Sequence, residues 1–501
     1  TWPRAPAGSP PTASVATSQL SGQRNTRRRR SRCRSDRHAF RFIGANEDAC
    51  VELTYGQLHR YACVTAAALA KHCRAGDRAL LLLPSGVHYV AAFFGCAYAG
   101  VIAVPAYPPE SAREQHLKRL RSIVSDARPA AIVTSRALAA PLLAGLGEAG
   151  AAAIAMIVVD ELEMEGDGSW EPPSIQRDDI AFLQYTSGST SEPKGVQVSH
   201  RNLLNFALHL GSYVTNDTGS DGVVLQLAPF TFDASVAEIY ISVLSGSKLV
   251  ILTSELIENP DRLQDYMTAQ KVTFAAFPPQ YARHLSPSRL PHLQTLITAG
   301  SAPDHELIKR WQPHLNYVNG YGPTETTVVS TLWRASRIPR IHEPIVIGSP
   351  IANTAVRVVN RFDRDLPRGV IGELLIGGAG VAQGYIKRQD LTRERFITTD
   401  RTRWYRSGDL SCFNAADELI FAGRVDNQVK LRGHRLEPGE VETALLAIAG
   451  IRQAAVLVLD IAGASQLFAF CVGEPLLEEA LRERLLQLVP AWAMPNRVVW
   501  L

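Results

Sequence analysis

The sequence lacks the cysteine patterns and long apolar runs that mark disulfide-bonded, zinc-binding and membrane-spanning proteins. Its 501 residues include seven cysteines, an odd number, and no Cys-x-x-Cys pair. This argues against a disulfide framework or a zinc site and for a reducing compartment. No run of eighteen apolar residues is present, and no signal-peptide core follows the arginine cluster near the amino terminus. We therefore expect a soluble, cytoplasmic protein.

A net positive charge is confined to the amino-terminal tail. Residues 1–37 contain nine arginines and one acid, Asp36, and carry a charge of +8. Because the whole chain carries +4, residues 38–501 carry −4. This mildly acidic body argues against nucleic acid as a partner, and a tail rich in Ser, Thr, Pro and Arg cannot build a core. We expect residues 1–37 to be disordered, with a localisation signal or nucleic-acid-binding arm as the alternative.

Apolar segments of strand length alternate with helical patterns after the tail. Strand patterns at 78–84, 101–104 and 130–133 are separated by helical patterns at 87–99 and 116–125. This alternation predicts an α/β fold with a mostly parallel sheet and helices on its faces. Residues 341–400 instead contain alternating, glycine-bounded segments, which predict a β-rich part.

The loop 185–196, Tyr-Thr-Ser-Gly-Ser-Thr-Ser-Glu-Pro-Lys-Gly-Val, has the composition of a polyphosphate-binding site. We predict that it joins a strand at 180–184 to a helix capped by Ser199. Its glycines, hydroxyl groups and single cation, Lys194, suit a nucleotide triphosphate. It is not a P-loop, because Gly195 follows the lysine. A Ser/Gly-rich linker is the alternative, but such a linker has no reason to lie inside a long α/β pattern.

A second polar motif occupies residues 317–327, Tyr-Val-Asn-Gly-Tyr-Gly-Pro-Thr-Glu-Thr-Thr. The Gly-Tyr-Gly-Pro run predicts a tight turn that presents Thr324 and Glu325. A hydroxyl group beside a carboxylate suits an α-phosphate and its Mg²⁺.

A carboxylate in apolar surroundings, Asp233, is the candidate partner of a substrate ammonium. Ser235 and Glu238 have the spacing of a capping box, so we predict that they satisfy the helix start without Asp233. The alternative is an ordinary turn-forming aspartate.

Taken together, these motifs resemble those of the adenylate-forming superfamily, over roughly residues 45–501. The motif at 317–327 is similar to that of nonribosomal peptide synthetase adenylation domains. The segment 91–109 is more similar to the fatty acyl-AMP ligase branch.

The resemblance implies a site for ATP and Mg²⁺. Lys194, Thr324 and Glu325 would be catalytic, with Glu325 as the metal ligand. Asp409 would accept the ribose hydroxyls, and Arg424 would contact the ribose or a phosphate. The other nucleotide-binding residues that the resemblance implies are Thr186, Ser187, Gly188, Ser189, Thr190, Asn319, Gly320 and Tyr321.

The resemblance also implies the substrate pocket. Its matching positions are Asp233, Ala234, Ala237, Ala276, Ile297, Ala299, Gly320, Val328 and Val329. In amino-acid adenylation domains the matching aspartate holds the substrate ammonium. The other positions are apolar and mostly Ala or Gly, so we expect a wide pocket for a bulky hydrophobic or aromatic amino acid.

The family architecture implies three parts. After the tail 1–37 we expect a large core, 38–425, of mostly parallel sheets flanked by helices together with the β-rich part. A small α+β subdomain, 426–501, would be hinged at Asp426 and incomplete, and Lys430 and Gly433 would lie near a pantetheine thiol.

One family segment has no counterpart in this sequence. In the family, the motif matching residues 488–495 is followed by a Pro-x-x-x-Asn-Gly-Lys segment, whose lysine bridges the substrate carboxylate and an ATP phosphate. The sequence given ends at Leu501, before such a lysine. We expect this chain to form adenylate about 10²–10³-fold more slowly than a chain containing it.

The implied activity is ATP-dependent formation of an aminoacyl-AMP and its transfer to a phosphopantetheine carrier in nonribosomal peptide synthesis. A fatty acyl-AMP ligase is the first alternative, supported by the segment 91–109. A non-catalytic nucleotide-binding remnant is the second, supported by the missing lysine.

Overall fold

Strands and helices alternate along most of the chain in the computed structural model, which confirms the predicted α/β class. The structure describes residues 38–43, 50–108, 114–146, 154–162, 170–186, 193–214, 222–426, 428–431, 434–461, 464–489 and 491–501. The tail 1–37, for which we predicted disorder, lies outside these ranges. Within them, every helix is too short or too polar to span a bilayer.

The elements have the following bounds. In chain order the strands are β1 (His38–Ile43), β2 (Cys50–Thr54), β3 (Arg78–Leu82), β4 (Ile102–Pro105), β5 (Ala131–Thr134), β6 (Ala155–Val158), β7 (Ile180–Thr186), β8 (Lys194–Ser199), β9 (Val223–Gln226), β10 (Lys248–Ile251), β11 (Phe274–Phe277), β12 (Thr295–Ala299), β13 (Asn316–Tyr321), β14 (Thr331–Arg334), β15 (Val346–Pro350), β16 (Thr354–Val359), β17 (Gly372–Gly378), β18 (Phe396–Thr399), β19 (Thr402–Phe413), β20 (Leu419–Arg424), β21 (Val429–Leu431), β22 (His434–Leu436), β23 (Ile451–Ile461), β24 (Ala464–Gly473) and β25 (Arg497–Trp500). The helices are α1 (Tyr55–Ala70), α2 (Val87–Ala99), α3 (Glu114–Ala127), α4 (Arg136–Leu146), α5 (His200–Gly211), α6 (Asp233–Ser245), α7 (Ser254–Glu258), α8 (Pro260–Ala269), α9 (Pro279–Ala282), α10 (His305–Trp311), α11 (Gln389–Arg395), α12 (Pro438–Leu446) and α13 (Glu478–Leu486).

A six-stranded sheet has the order β6-β5-β3-β4-β7-β8. All neighbours except β7 and β8 are parallel. The inner strands are buried on both faces, and this explains why they consist of continuous apolar runs rather than alternating ones.

The predicted connection after β7 is wrong in one respect. The phosphate loop leads into strand β8, which pairs antiparallel with β7 through Thr186 and Lys194, and not directly into a helix. Helix α5 follows β8, with Ser199 as its N-cap and a capping box to Asn202. The run Val196-Gln-Val alternates and pairs as a strand, a signal that the glycine-rich composition before it obscured.

The larger sheet combines parallel and antiparallel strands. Strands β1, β10, β9, β11, β12 and β13 are parallel neighbours, and β2 lies antiparallel at the edge. From β14 onwards the pairs are antiparallel, which confirms the predicted β-rich part. The carboxyl ends of β12 and β13 lie side by side, with Ala299 opposite Gly320.

The carboxyl-terminal segment 428–501 has a core of its own. Strands β23, β24 and β25 form a three-stranded sheet, and β21 pairs with β22. The buried side chains include Val441 and Leu445 from α12, Leu467 and Cys471 from β24, and Leu481 from α13. The α+β character agrees with the expected small subdomain, and its boundary at Asp426 stays a prediction.

A glycine in β15 permits the close approach of two strands. Gly348 has φ +85°, and a Cβ atom there would lie 2.0 Å from the carbonyl oxygen of Leu332. Gly369 has a similar φ of +78° but lies in open space.

We expect Gly348→Ala to lower the free energy of unfolding by more than about 4 kcal/mol. Gly369→Ala is the matched control. It should lower the free energy of unfolding by only about 1 kcal/mol, the cost of a positive φ for a residue with a Cβ atom. Urea unfolding followed by circular dichroism measures both. Equal losses in the two variants would show that the strand contact is not what requires the glycine.

Candidate functional site

Four of the predicted pocket residues lie side by side in neighbouring strands, since Ala276 is paired with Ile297 and Ala299 with Gly320. Ala237, Ile297 and Val329 belong to one buried cluster, and Ala276 and Val328 pack against it. A Cβ atom at Gly320 would lie 3.4 Å from Ile297 Cγ2 and 3.7 Å from the Cβ of Ala299. Gly320 therefore lies directly beside Ile297 and Ala299.

Asp233 is the first residue of α6, and Ala234 follows it. Both are half-buried, and Asp233 precedes Ala237 by one helical turn on the same face. The amino terminus of a helix favours a negative charge, so the position suits an acidic side chain.

The predicted capping box at this helix is wrong. Phe232 is the N-cap and has no side-chain cap, and the Ser235 hydroxyl donates to the Phe232 carbonyl oxygen over 2.7 Å. Glu238 instead accepts hydrogen bonds from the backbone N–H groups of Leu227 and Ala228, each over 3.2 Å. The carboxylate thus supports the loop that leads into Asp233 rather than its own helix start.

Glu238 is a residue whose importance the sequence reasoning missed. It is 3% exposed, and burial raises the pKa of its carboxyl to about 8, although the N–H groups of Leu227 and Ala228 and the Gln226 amide oppose that rise. The available signal was a lone acid within the apolar run Val236-Ala-Glu-Ile-Tyr.

The sequence predicted a tight turn at Gly320-Tyr-Gly-Pro, but Gly320 and Tyr321 still belong to β13. Thr324 and Glu325 follow in a short 3-10 turn, Thr324–Thr326. The following residues, Thr327 and Val328, have φ of +63° and +66°, values that are costly for β-branched residues. The Thr327 hydroxyl donates to the Gly380 carbonyl oxygen over 2.8 Å, which helps to hold this strained turn. Glu325 is 1% exposed, and its Oε1 accepts a hydrogen bond from the Tyr385 hydroxyl over 2.7 Å.

Asp409 lies at the centre of a buried polar group. It is paired across the strands with Arg424, whose guanidinium binds Asp409 Oδ1. The Tyr321 hydroxyl donates to Asp409 Oδ2. Arg424 Nε also donates to Asp426 Oδ1 over 2.6 Å. The structure thus brings the predicted ribose-binding residues next to the predicted hinge.

The charge of Asp426 is stabilised by its arginine partner. Burial of the Asp426 carboxyl raises its pKa, but the hydrogen bonds and charge of Arg424 outweigh burial and hold the pKa below its usual value. Arg395 at the end of α11 acts in the same direction, and the sequence reasoning did not include it.

Lys194 lies half-buried at the start of β8, on the carboxyl side of the phosphate loop. Burial raises the pKa of Glu440, in the first turn of α12, to about 7. The positive charges of Arg119 and Lys194 act against this rise in pKa, and the negative charge of Glu437 adds to it. The carboxyl-terminal segment therefore approaches the strand that carries Lys194.

Some of the remaining predicted residues lie within the described ranges and the others lie outside them. Thr186 ends β7 half-buried, and Asn319 is buried and donates from Nδ2 to the Val346 carbonyl oxygen over 3.0 Å. Lys430 lies in β21. The residues outside the described ranges are Ser187, Gly188, Ser189, Thr190 and Gly433.

The donor set suits a metal that is bound largely by its substrate. Within the described ranges, three or more His, Cys, Asp or Glu side chains nowhere form a cluster that could hold a metal. Mg²⁺ commonly uses one or two carboxylates together with substrate phosphates. The buried carboxylate of Glu325, beside Thr324, fits that mode.

Comparison with known sequences and structures agrees with this geometry. A model of a family described as AMP-binding enzyme matches residues 27–386. Tyrocidine synthase 1 of Brevibacillus parabrevis is 34% identical over 461 residues, covering 89% of this chain and 41% of that protein. The chain thus spans less than half the length of this relative.

Two solved structures share the fold. An artificially fused adenylation–PCP di-domain nonribosomal peptide synthetase from Klebsiella oxytoca superposes with a TM-score of 0.78 at 22% identity, covering 93% of this chain and 91% of that one. A fatty acid AMP ligase from Legionella pneumophila has a TM-score of 0.72 at 23% identity, covering 92% and 88%. At these identities the likeness concerns the fold alone.

We expect Glu238 to make stability depend on pH. A folded-state pKa of about 8, above the ordinary value of 4.5, means that its stabilising contribution is complete below pH 4.5 and is lost as the pH rises to about 8. Relative to Glu238→Gln, the wild type should therefore lose roughly 3 kcal/mol of unfolding free energy between pH 5 and pH 8.

Urea unfolding at several pH values measures this difference. Glu306→Gln, at an exposed glutamate of α10, is the control and should leave the pH dependence unchanged. Parallel curves for the wild type and Glu238→Gln would contradict the shifted pKa.

Proposed function

The chain belongs to the AMP-binding enzyme family, and from this premise we propose that it uses ATP to activate an amino acid as an aminoacyl-AMP. The observation that carries the proposal is the placement of Asp233 at the start of α6, one helical turn before the buried Ala237, which is another of the predicted pocket positions. An apolar pocket with one carboxylate at its border suits a ligand that carries an ammonium group beside an apolar side chain.

In the proposed reaction, a carboxylate oxygen of the amino acid attacks the α-phosphorus of ATP. A carbon–oxygen–phosphorus linkage forms, the bond between the α-phosphorus and the bridging oxygen breaks, and pyrophosphate leaves with that electron pair. The protein contributes mainly position and charge stabilisation to such a transfer. Bound Mg²⁺ would neutralise charge that develops on the phosphates.

The charged side chains have separate tasks in this proposal. Glu325 would hold Mg²⁺, and Thr324 would donate to the α-phosphate. Lys194, at the end of the phosphate loop, would stabilise the phosphate charge. The role expected of a lysine beyond Leu501 stays a prediction.

Asp409 and Arg424 would hold the ribose. Asp409 is 4% exposed and already accepts two donors, so its carboxylate is fixed in orientation. Ribose hydroxyls would donate to Asp409 in place of Tyr321 and Arg424, or alongside them. Arg424 would then move towards the nucleotide. The other proposed nucleotide contacts are Thr186, Ser187, Gly188, Ser189, Thr190, Asn319, Gly320 and Tyr321.

The proposed substrate is a bulky hydrophobic or aromatic amino acid. Ile297 and Val329 supply apolar walls, while Gly320 and the alanines leave room between them. Asp233 would bind the α-ammonium group at the border of this pocket.

Transfer to a carrier is the proposed second step. The similarity to nonribosomal peptide synthetases supports a phosphopantetheine carrier as the partner, with Lys430 and Gly433 near its thiol. We propose a large unit, 38–425, and a small unit, 426–501, that reorient about Asp426 between the two steps.

A fatty acyl-AMP ligase is the second candidate. The sequence of 91–109 supports it, and the fold is compatible with both candidates. A fatty acid has no ammonium group, so this candidate gives Asp233 no role in binding the substrate.

Asp233→Asn should distinguish the two candidates. In ATP–pyrophosphate exchange, we expect it to reduce kcat/KM for phenylalanine by roughly 10–100-fold, because the ion pair to the ammonium is lost. Exchange with 3-phenylpropionate, which lacks the ammonium, should not change by more than about 2-fold in the same comparison. Exchange that responds only to fatty acids would move the assignment to the ligase.

Asp409→Asn should weaken AMP binding by roughly 10–100-fold, since charge-assisted hydrogen bonds to the ribose are lost. Isothermal titration calorimetry measures the dissociation constant without any amino acid. Asp417→Asn, at an exposed ion pair with Arg368, is the control and should bind AMP like the wild type. Equal AMP affinity in Asp409→Asn and the wild type would remove Asp409 from the ribose site.

A further inference from the structure

We propose that residues 379–386, here called the strap, fix the distance between the phosphate-loop strand and Glu325, and that Tyr385 is a positioning residue for the Glu325 carboxylate. This inference rests on the proposed function only in taking Glu325 as the metal ligand. The strap follows β17 and has no regular secondary structure of its own. Its backbone and side chains are nevertheless bonded to three separate parts of the candidate site.

The first attachment is to the strand that begins with Lys194. Gln197 N–H donates to the Gly384 carbonyl oxygen over 2.9 Å, and Gln383 N–H donates to the Gln197 carbonyl oxygen over 2.9 Å. Ile386 N–H donates to the Gly195 carbonyl oxygen over 2.9 Å. Through these bonds the strap extends the edge of the six-stranded sheet beside β8.

The second attachment is to the Thr324–Thr326 turn. Ala382 N–H donates to the Glu325 carbonyl oxygen over 2.9 Å. The Tyr385 hydroxyl donates to the carboxylate of the same glutamate, and the Thr327 hydroxyl donates to Gly380. Both the backbone and the side chain of Glu325 are thus held by the strap.

The third attachment is to the start of α5. Asn202 is 4% exposed, and its Nδ2 donates to the carbonyl oxygens of Ala379 over 2.7 Å and Val381 over 3.0 Å. The same side chain closes the capping box with Ser199 at the end of β8. A shift of β8 would therefore be transmitted to the strap at both of its ends.

Tyr385 is itself held rigidly. It is 5% exposed, and its ring packs edge-on against Phe396 with centroids 5.5 Å apart. Its N–H donates to the Thr392 hydroxyl over 3.0 Å. A rigid donor at one carboxylate oxygen restricts the rotation of Glu325, and hydrogen bonds of this kind orient metal ligands and tune their affinity.

A purely structural role for this hydrogen bond would satisfy a buried carboxylate and do nothing more. The two roles differ in their effect on metal binding. Loss of a purely structural bond would lower stability alone. Loss of a positioning bond would also reduce the preference of the protein for metal-bound ATP over metal-free ATP.

The test is Tyr385→Phe, which removes one hydroxyl group. The dissociation constants of Mn²⁺-ATP, followed by electron paramagnetic resonance, and of ATP in EDTA, followed by calorimetry, are measured without amino acid. We expect the preference for the metal complex to fall by roughly 10-fold, with the affinity for metal-free ATP unchanged. The Mg²⁺ concentration needed for half-maximal pyrophosphate exchange should rise in parallel.

Tyr281→Phe is the matched control, because its hydroxyl donates to the Ile257 carbonyl oxygen over 2.6 Å, outside the strap and its attachments. If Tyr385→Phe does not fold, Thr327→Val removes the attachment at Gly380 and should lower the same preference. An unchanged preference in a folded variant would overturn the proposal, as would a wild type that binds both forms of ATP equally. Neither result depends on whether amino acids are the substrate.

Discussion

The guanidinium group of Arg424 connects the predicted ribose-binding carboxylate with the predicted hinge residue. It binds Asp409 on one side and Asp426 on the other, and Tyr321, at the end of β13, donates to Asp409. Asp409 and the Arg424 guanidinium are largely removed from water, whereas Asp426 is exposed. In the proposed function, a nucleotide that engages Asp409 would therefore also alter the interaction between Arg424 and Asp426.

Parallel strands bring their carboxyl ends to one edge of a sheet, so an alternating α/β pattern already indicates which segments lie near one another. Polar residues that follow strands β12 and β13 had to lie near one another once the alternating pattern was established. Ala299 and Gly320 are indeed opposite each other, and the turn at Thr324 follows directly. The α/β class and the β-rich part followed from periodicity, which reports how strands and helices are buried.

What the sequence did not reveal are contacts between residues far apart in the chain. Glu238 has the spacing of a capping residue, but in the structure it is buried and accepts a hydrogen bond from the Leu227 N–H group. The spacing of residues along the chain does not indicate which of these two positions the side chain takes. Tyr385 lies 60 residues from Glu325. The sequence did not predict strand β8. This strand pairs with β7 across the phosphate loop, and composition carries no information on such pairing.

The fold does not decide between an amino acid and a fatty acid, since structures of both classes superpose on this chain. The proposed choice between them depends on the chemistry at Asp233, the half-buried first residue of α6. An amino acid brings an ammonium group that this carboxylate would bind directly, whereas a fatty acid brings no positive charge. The proposed amino-acid substrate therefore rests on charge rather than on shape.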